Sequence, residues 1–233
     1  MKRFYENADA TRSSDGWTVA LDGRTVKTPA RKSLAVPARK LADAIAAEWA
    51  GQEEKIDPAA MPLTGLANAA IDRVHPNHQS FAAELAEYGE TDLLCYRADS
   101  PTELVARQCA AWDPLLEWAQ KRFDIGFETT TGIVHRPQPA PTVERLRAAT
   151  EIYGPFHLAG LSPIVRIGGS LVAALALVEN AFDEDVIWSA TRIDEDWQAS
   201  QWGEDEDAIA TRDARRREFS AGMRFIRLLE AGD

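Results

Sequence analysis

A single dipeptide constrains the fold of the first quarter of the chain more than any other feature. Asp22 and Gly23 lie between two short runs rich in β-branched residues, at 17–21 and 24–28. Asp-Gly readily adopts the positive φ angles of a type I′ turn, which joins adjacent antiparallel strands through two residues. These residues therefore predict a β-hairpin.

A third strand and a helix complete the predicted N-terminal part. The strand is predicted at residues 33–36, and Pro37 follows at a position where proline favours the start of a helix. The apolar residues of that helix share one face at helical spacing, and they are Leu41, Ile45, Ala46 and Trp49. An apolar helix face over a small sheet predicts a β-rich α/β domain over residues 1–60.

Helical periodicity dominates the rest of the chain. Apolar residues recur three and four positions apart in segments near 63–74, 77–95, 101–123, 141–153, 169–180, 183–201 and 204–230. A weak strand signal is confined to residues 126–134, and residues 57–62, with two prolines, form the predicted boundary. We therefore expect an α+β fold with a larger all-helical C-terminal domain over residues 61–233.

Charge and composition exclude several classes of protein. The 233 residues carry a formal net charge of -11, whereas nucleic-acid binding requires a basic face. The longest apolar run, at 170–178, is much shorter than the roughly 20 residues of a membrane span. Cys95 and Cys109, the only cysteines, fit neither a disulfide framework nor a zinc site. We expect a folded monomer of a reducing compartment, with no nucleic-acid binding and no membrane insertion.

The sequence contains no recognised catalytic or nucleotide-binding motif. Lys-Thr at 27–28 resembles the end of a phosphate-binding loop, but it lacks the glycines and lies within the predicted hairpin. Gly-Gly-Ser at 168–170 could offer backbone N–H groups to an anion, although a turn and a helix cap explain it more simply. His75 and His78 have no further metal ligands nearby. We expect no enzymatic activity, no cofactor and no bound metal.

Residues 194–207 are the most unusual segment of the predicted helical domain. Trp197 and Trp202 lie there among seven carboxylates and no basic residue. Tryptophan is enriched at protein interfaces, which favours a recognition surface over a catalytic pocket. A structural explanation stays open, because acidic residues stabilise the first turn of a helix and tryptophan often lies in a core. The arginines at 212–217 follow at i,i+4 spacings that predict a solvated helix face.

Short motifs occur along nearly the whole chain. In the N-terminal part they are Leu-Asp-Gly-Arg-Thr-Val-Lys-Thr-Pro at 21–29, Val-Pro at 36–37 with Leu-Ala at 41–42, Ala-Glu-Trp at 47–49 with Gln52, and Met-Pro-Leu-Thr at 61–64 with Ile-Asp at 71–72. In the helical part they are Thr-Asp-Leu-Leu-Cys-Tyr-Arg at 91–97, Gln108 with Trp-Asp-Pro at 112–114 and Trp118, and Asp-Glu at 194–195 with Gln198 and Trp-Gly at 202–203. In this order they resemble the motifs of the assembly chaperones that bind the α subunit of F-type ATP synthase.

The resemblance implies a binding protein with a small β-rich N-terminal domain and a helical C-terminal domain. Such a chaperone binds the free α subunit and shields its subunit interface until the β subunit joins, which assists assembly of the catalytic head. The resemblance implies Glu206 as the functional acid, and the other partner-binding residues that we expect are Trp202, Glu204, Asp205, Trp197 and Gln198. Because no import sequence precedes the predicted first domain, we expect a bacterial, cytoplasmic protein.

Two other functions stay open at this point. A general holdase for aggregation-prone proteins could also use the exposed acidic segment, and it would differ by accepting many clients. An enzyme could use carboxylates such as Glu204 and Glu206 for acid–base chemistry. A deep pocket with paired carboxylates of perturbed pKa would favour the enzyme.

Overall fold

The computed structural model describes residues 1–132 and 134–231, which form two compact units. The first unit comprises Met1–His78, Gly154–Leu161 and the chain from Ala221 onward, and the second comprises Gln79–Tyr153 and Ser162–Ser220. Strands near the N-terminus and a mostly helical remainder confirm the predicted α+β fold class. The predicted boundary between residues 60 and 61 falls within the first unit, and the division into those two domains stays a prediction.

The first unit contains an antiparallel sheet in which the second strand pairs with each of the others. Its strands are β1 (Ala8–Ser13), β2 (Gly16–Leu21), β3 (Arg24–Thr25) and β4 (Ala35–Val36). The φ angles of Asp22 and Gly23 are 46° and 77°, as a type I′ turn requires, so the predicted hairpin is confirmed. Strand β1 was not predicted from its polar sequence, and it pairs with β2 along its whole length.

Helix α1 (Arg39–Ala50) covers this sheet with the predicted apolar face. Leu41 and Ile45 are fully buried and belong to one hydrophobic core with Val19 and Leu34, whereas Trp49 is half-buried beside that core. A 3-10 turn at Pro58–Ala60 leads to α2 (Pro62–Ala69), and a π-helical turn (Ala70–Val74) and a 3-10 turn (His75–Asn77) follow. The packing of helix on sheet therefore agrees with the sequence pattern.

Eight further helices follow. They are α3 (His78–Ala86), α4 (Thr102–Phe123), α5 (Ala140–Glu151), α6 (Pro155–Gly168), α7 (Leu171–Val178), α8 (Glu184–Ala190), α9 (Ile193–Trp202) and α10 (Glu206–Glu230) among the described residues. All eight residues of α7 are buried, and α7 packs against α4 in the core of the second unit. Within the described ranges, no helix combines the length and the apolar character needed to cross a membrane.

Helix α6 was not predicted, and its sequence contains two residues that disfavour a helix, Gly160 and Pro163. Both residues lie inside the helix. A Cβ atom on Gly160 would lie 2.7 Å from Cγ1 of Ile226 in α10, so glycine permits the close approach of these two helices within the first unit. Tertiary packing thus overrides the local helix-breaking signal.

Three predicted elements differ from the structure. The predicted helix at 183–201 is two helices, because the backbone leaves the helical region at Arg192 (φ -121°, ψ 10°). The predicted helix at 77–95 ends at Ala86 and gives way to short 3-10 turns. The strand signal at 126–134 contains one short strand, β6 (Thr130–Thr131), which pairs in parallel with β5 (Tyr96–Arg97), and Ile133 lies outside the described residues.

Candidate functional site

Several motif residues of the first unit form hydrogen bonds with other groups of the same unit. The Glu48 carboxylate accepts hydrogen bonds of 2.7 and 2.8 Å from two backbone N–H groups at the start of α2. The Asp72 carboxylate accepts hydrogen bonds from the Thr28 hydroxyl and the Ala30 N–H, each at 2.9 Å. Because Thr28 is engaged in this way, the hairpin does not present a free Lys-Thr pair to a phosphate.

The motif residues on α4 are also used inside the protein. The Gln108 side chain accepts a hydrogen bond from the Ala98 N–H at 2.8 Å and donates one to the Asp194 carboxylate at 2.7 Å. The buried indole N–H of Trp112 donates to the Ala190 carbonyl at 2.6 Å. These contacts connect α4 to α8 and α9. Gln108 and Trp112 therefore stabilise the packing of these helices.

The side chain of Asp92 accepts a hydrogen bond at the N-terminus of α7. Asp92 is fully buried and accepts hydrogen bonds from the N–H groups of Leu94 (3.1 Å) and Val172 (3.0 Å). Burial raises the pKa of Asp92 to about 6, although these hydrogen bonds act in the opposite direction. Ser170 caps the same helix and Gly169 has φ +64°, so the Gly-Gly-Ser segment is a turn and a cap.

A surface cleft beside the α9–α10 connection brings together four of the six predicted binding residues. Gln198, Trp202, Glu204 and Asp205 line this cleft, which has a volume of about 490 Å³. Trp202 is 80% exposed, more than any other aromatic residue in the part of the chain that the structure describes. Its large apolar ring therefore contributes little to the core of its own chain and is available to a partner.

The connection between α9 and α10 is held by its own side chains. Gly203, with φ +80°, ends α9, and Asp205 accepts a 2.7 Å hydrogen bond from the Ala208 N–H in the first turn of α10. Glu204 forms an ion pair with Arg212, and both side chains are mostly covered. Glu204 and Asp205 therefore stabilise the α9–α10 connection, and they also line the cleft.

The other two predicted residues lie outside the lining of the cleft. Glu206 is the first residue of α10 and is exposed to solvent. Trp197 is half-buried, and the guanidinium of Arg107 lies 5.0 Å from the centroid of its ring. Trp197 therefore packs toward α4, whereas the side chain of Glu206 is exposed to solvent at the N-terminus of α10.

Basic residues line the same cleft, and the sequence did not predict this role for them. Arg192, Arg212 and Arg215 contribute to the lining. The prediction of a solvated arginine face is wrong at Arg216, whose guanidinium is half-buried, pairs with Asp185 at 2.5 Å and contacts α8. No sequence spacing reveals these contacts, because they depend on how α8, α9 and α10 pack. The cleft consequently carries charges of both signs around an exposed tryptophan.

The arrangement of these side chains is typical of a recognition surface. Within residues 1–132 and 134–231, no group of three or more His, Cys, Asp or Glu residues is arranged to hold a metal ion. An exposed aromatic ring beside charged groups of both signs can bury apolar area and form directional ion pairs with a protein surface. The α9–α10 cleft therefore has the features of a protein-binding surface.

Comparisons with known proteins agree on one family. Residues 2–120 match the family described as ATP12 chaperone protein. The crystal structure of Atp12 from Paracoccus denitrificans has a TM-score of 0.93 and 40% sequence identity, with 98% of each chain covered. The mitochondrial protein atp12 of Schizosaccharomyces pombe is 26% identical over 220 residues, which cover 89% of this chain and 75% of the relative. The mitochondrial ATP12 of Saccharomyces cerevisiae is 23% identical, covering 95% and 83%.

The architecture is thus that of a chaperone. The chain belongs to the ATP12 chaperone family, since the family match spans more than half of its residues and a relative of 40% identity covers nearly all of it. Chaperones of this family are assembly factors of ATP synthase.

Proposed function

We propose that this chain binds the free α subunit of F-type ATP synthase and shields its subunit interface until the β subunit joins. Membership of the ATP12 family supports this proposal. An obligate subunit interface exposes a large apolar area when its partner is missing, and that area associates with wrong partners. A chaperone that covers the interface reversibly suppresses this association and assists assembly of the catalytic head.

The observation that carries the proposal is the exposed ring of Trp202 above a cleft of mixed charge. Trp202 is 80% exposed, and Gln198, Glu204 and Asp205 lie around it in the same cleft. Tryptophan is among the residues that most often dominate binding energy at protein interfaces. We propose these four residues, with Glu206 and Trp197 beside them, as the surface that contacts the α subunit.

The proposed complex contains one copy of this chain. We propose the bacterial cytoplasm as the place of action, with support from the 40% identity to the Paracoccus denitrificans protein. In this proposal the chain itself performs no catalysis, and ATP binding belongs to the α subunit.

Competition tests this function directly. Purified chain is mixed with isolated α subunit, with assembled catalytic head and with an unrelated unfolded protein, and complexes are separated by size. We expect a complex with the α subunit alone, and we expect added β subunit to displace the chain. Equal binding of the assembled head would contradict interface shielding, and equal binding of the unrelated protein would indicate a general holdase.

A further inference from the structure

A second surface, on the first unit, is not used by the proposed function. It is an open groove of about 680 Å³, lined by the β2–β3 hairpin, by the start of the chain and by residues near the end of α1. Phe4, Tyr5, Trp49 and Ile56 supply apolar lining. The groove has the size and the apolar character of a binding site.

Trp49, one of the residues that line the groove, has a fixed side chain with a buried indole N–H. The indole N–H of Trp49 is buried and has no hydrogen-bond partner among the described residues. The Trp49 ring is fixed in place, because the Tyr5 ring lies edge-on at 5.8 Å and the Tyr5 hydroxyl donates to the Trp49 carbonyl at 2.7 Å. This fixed ring belongs to a residue that lines the groove, so its indole N–H signal can report an occupant.

The charged side chains that line the groove are two cations and one carboxylate, so their net charge is positive although the chain as a whole carries -11. Arg24 and Lys27 line the groove, are exposed, and form no ion pair within the described residues. The acidic residue in the lining, Asp22, already accepts hydrogen bonds from the N–H groups of Asn7 (2.9 Å) and Glu6 (3.2 Å), which lower its pKa. Charge complementarity therefore favours an acidic occupant.

The exposure of the apolar residues favours a polypeptide over a small molecule. Small ligands are mostly enclosed by their sites. Here Phe4 is 67% exposed and Met1 is 84% exposed, so apolar surface continues from the groove onto the open face of the unit. Exposed apolar surface of this kind is typical of sites that bind another polypeptide chain.

We propose that this groove binds an extended acidic segment of a partner polypeptide. The segment packs one large apolar side chain against Phe4, Tyr5 and Trp49, and it places a carboxylate near Arg24 and Lys27. This inference does not depend on which surface binds the α subunit, because the groove and the α9–α10 cleft share no residue.

Nuclear magnetic resonance of the ¹⁵N-labelled full chain tests the groove through the indole N–H signal of Trp49, which Trp49→Phe assigns. The probe is a capped hexapeptide with one Phe and three Glu residues, and the comparison peptide has Lys in place of each Glu. The variant Arg24→Glu with Lys27→Glu removes the positive charge of the groove. The matched control, Arg31→Glu with Arg224→Glu, reverses two exposed charges of the same unit that lie outside the groove.

We expect the acidic peptide to shift the Trp49 indole signal saturably. Affinity should fall at least tenfold in the groove variant and stay within twofold of the original chain in the control variant. Equal binding of the basic peptide, or an unmoved indole signal, would overturn the proposal. Equally tight binding of N-acetylphenylalanine, which has the ring and the carboxylate without the flanking chain, would show a small-molecule pocket and also overturn it.

Discussion

Replacing Trp202 with alanine should weaken binding of the isolated α subunit roughly 30-fold while leaving the fold intact. A fully exposed tryptophan presents up to about 250 Å² of surface. Trp202 is 80% exposed, so about 200 Å² is available to a partner, and complete burial would contribute up to about 5 kcal/mol. Since part of the contact lies near solvent and binding orders the side chain, we expect about 2 kcal/mol of this in the complex.

The effect on stability should be much smaller. The fifth of the Trp202 surface that is already covered amounts to about 50 Å², so its loss costs about 1 kcal/mol of unfolding free energy. For a chain of this size that cost corresponds to a decrease in Tm of about 2–4 °C.

Isothermal titration calorimetry with the α subunit and differential scanning calorimetry of the chain measure the two quantities separately. Ile152→Ala serves as the matched control, because Ile152 is 76% exposed, lies in the same unit and is outside the cleft. The control should bind like the original chain. If Trp202→Ala binds with unchanged affinity, or if Ile152→Ala weakens binding equally, the cleft is not the contact surface.

Three further predictions concern carboxylates. Glu206→Gln should weaken α-subunit binding by about 2 kcal/mol or more, because it removes a charge that we expect to meet a basic group of the partner, and the Tm should not change. The control variant Glu218→Gln, at an exposed position of the same helix, should bind like the original chain. Equal affinities of the two variants would refute the role of Glu206. Glu48→Gln should lower the unfolding free energy by about 1–3 kcal/mol in urea titrations, because its charge-assisted hydrogen bonds to α2 weaken, and the exposed Glu53→Gln should not. Burial raises the pKa of Asp92 to about 6 from an ordinary value of 3.8, so the native state holds a proton that the unfolded chain has lost, and the contribution of Asp92 to stability falls as pH rises from about 4 through about 6. The Tm of the original chain minus that of Asp92→Asn should therefore decrease across this range, and a difference that rises would contradict the burial effect.

Local sequence patterns were sufficient for the features of this fold that depend on neighbouring residues. Asp22 and Gly23 specify the hairpin, because both adopt positive φ and no distant contact is needed for the turn. The spacing of Leu41 and Ile45 identified the buried face of α1 for the same reason. The exposed Trp202 was also singled out from sequence, since tryptophan among carboxylates is unusual wherever it lies.

Long-range packing decided the remaining features. Residues 8–13 become strand β1 only by pairing with β2, and α6 continues through Pro163 because its packing compensates for a weak local preference. The residues from Ala221 onward belong to the same unit as Met1–His78, although more than 140 positions of sequence separate Ala221 from His78. Arg212 in α10 pairs with Glu204 in the α9–α10 connection. Together with Arg192 and Arg215 it makes the cleft mixed in charge, whereas residues 194–207 contain no basic residue. Periodicity describes only which face of an element is apolar, whereas the identity of the surface that covers it depends on the path of the whole chain.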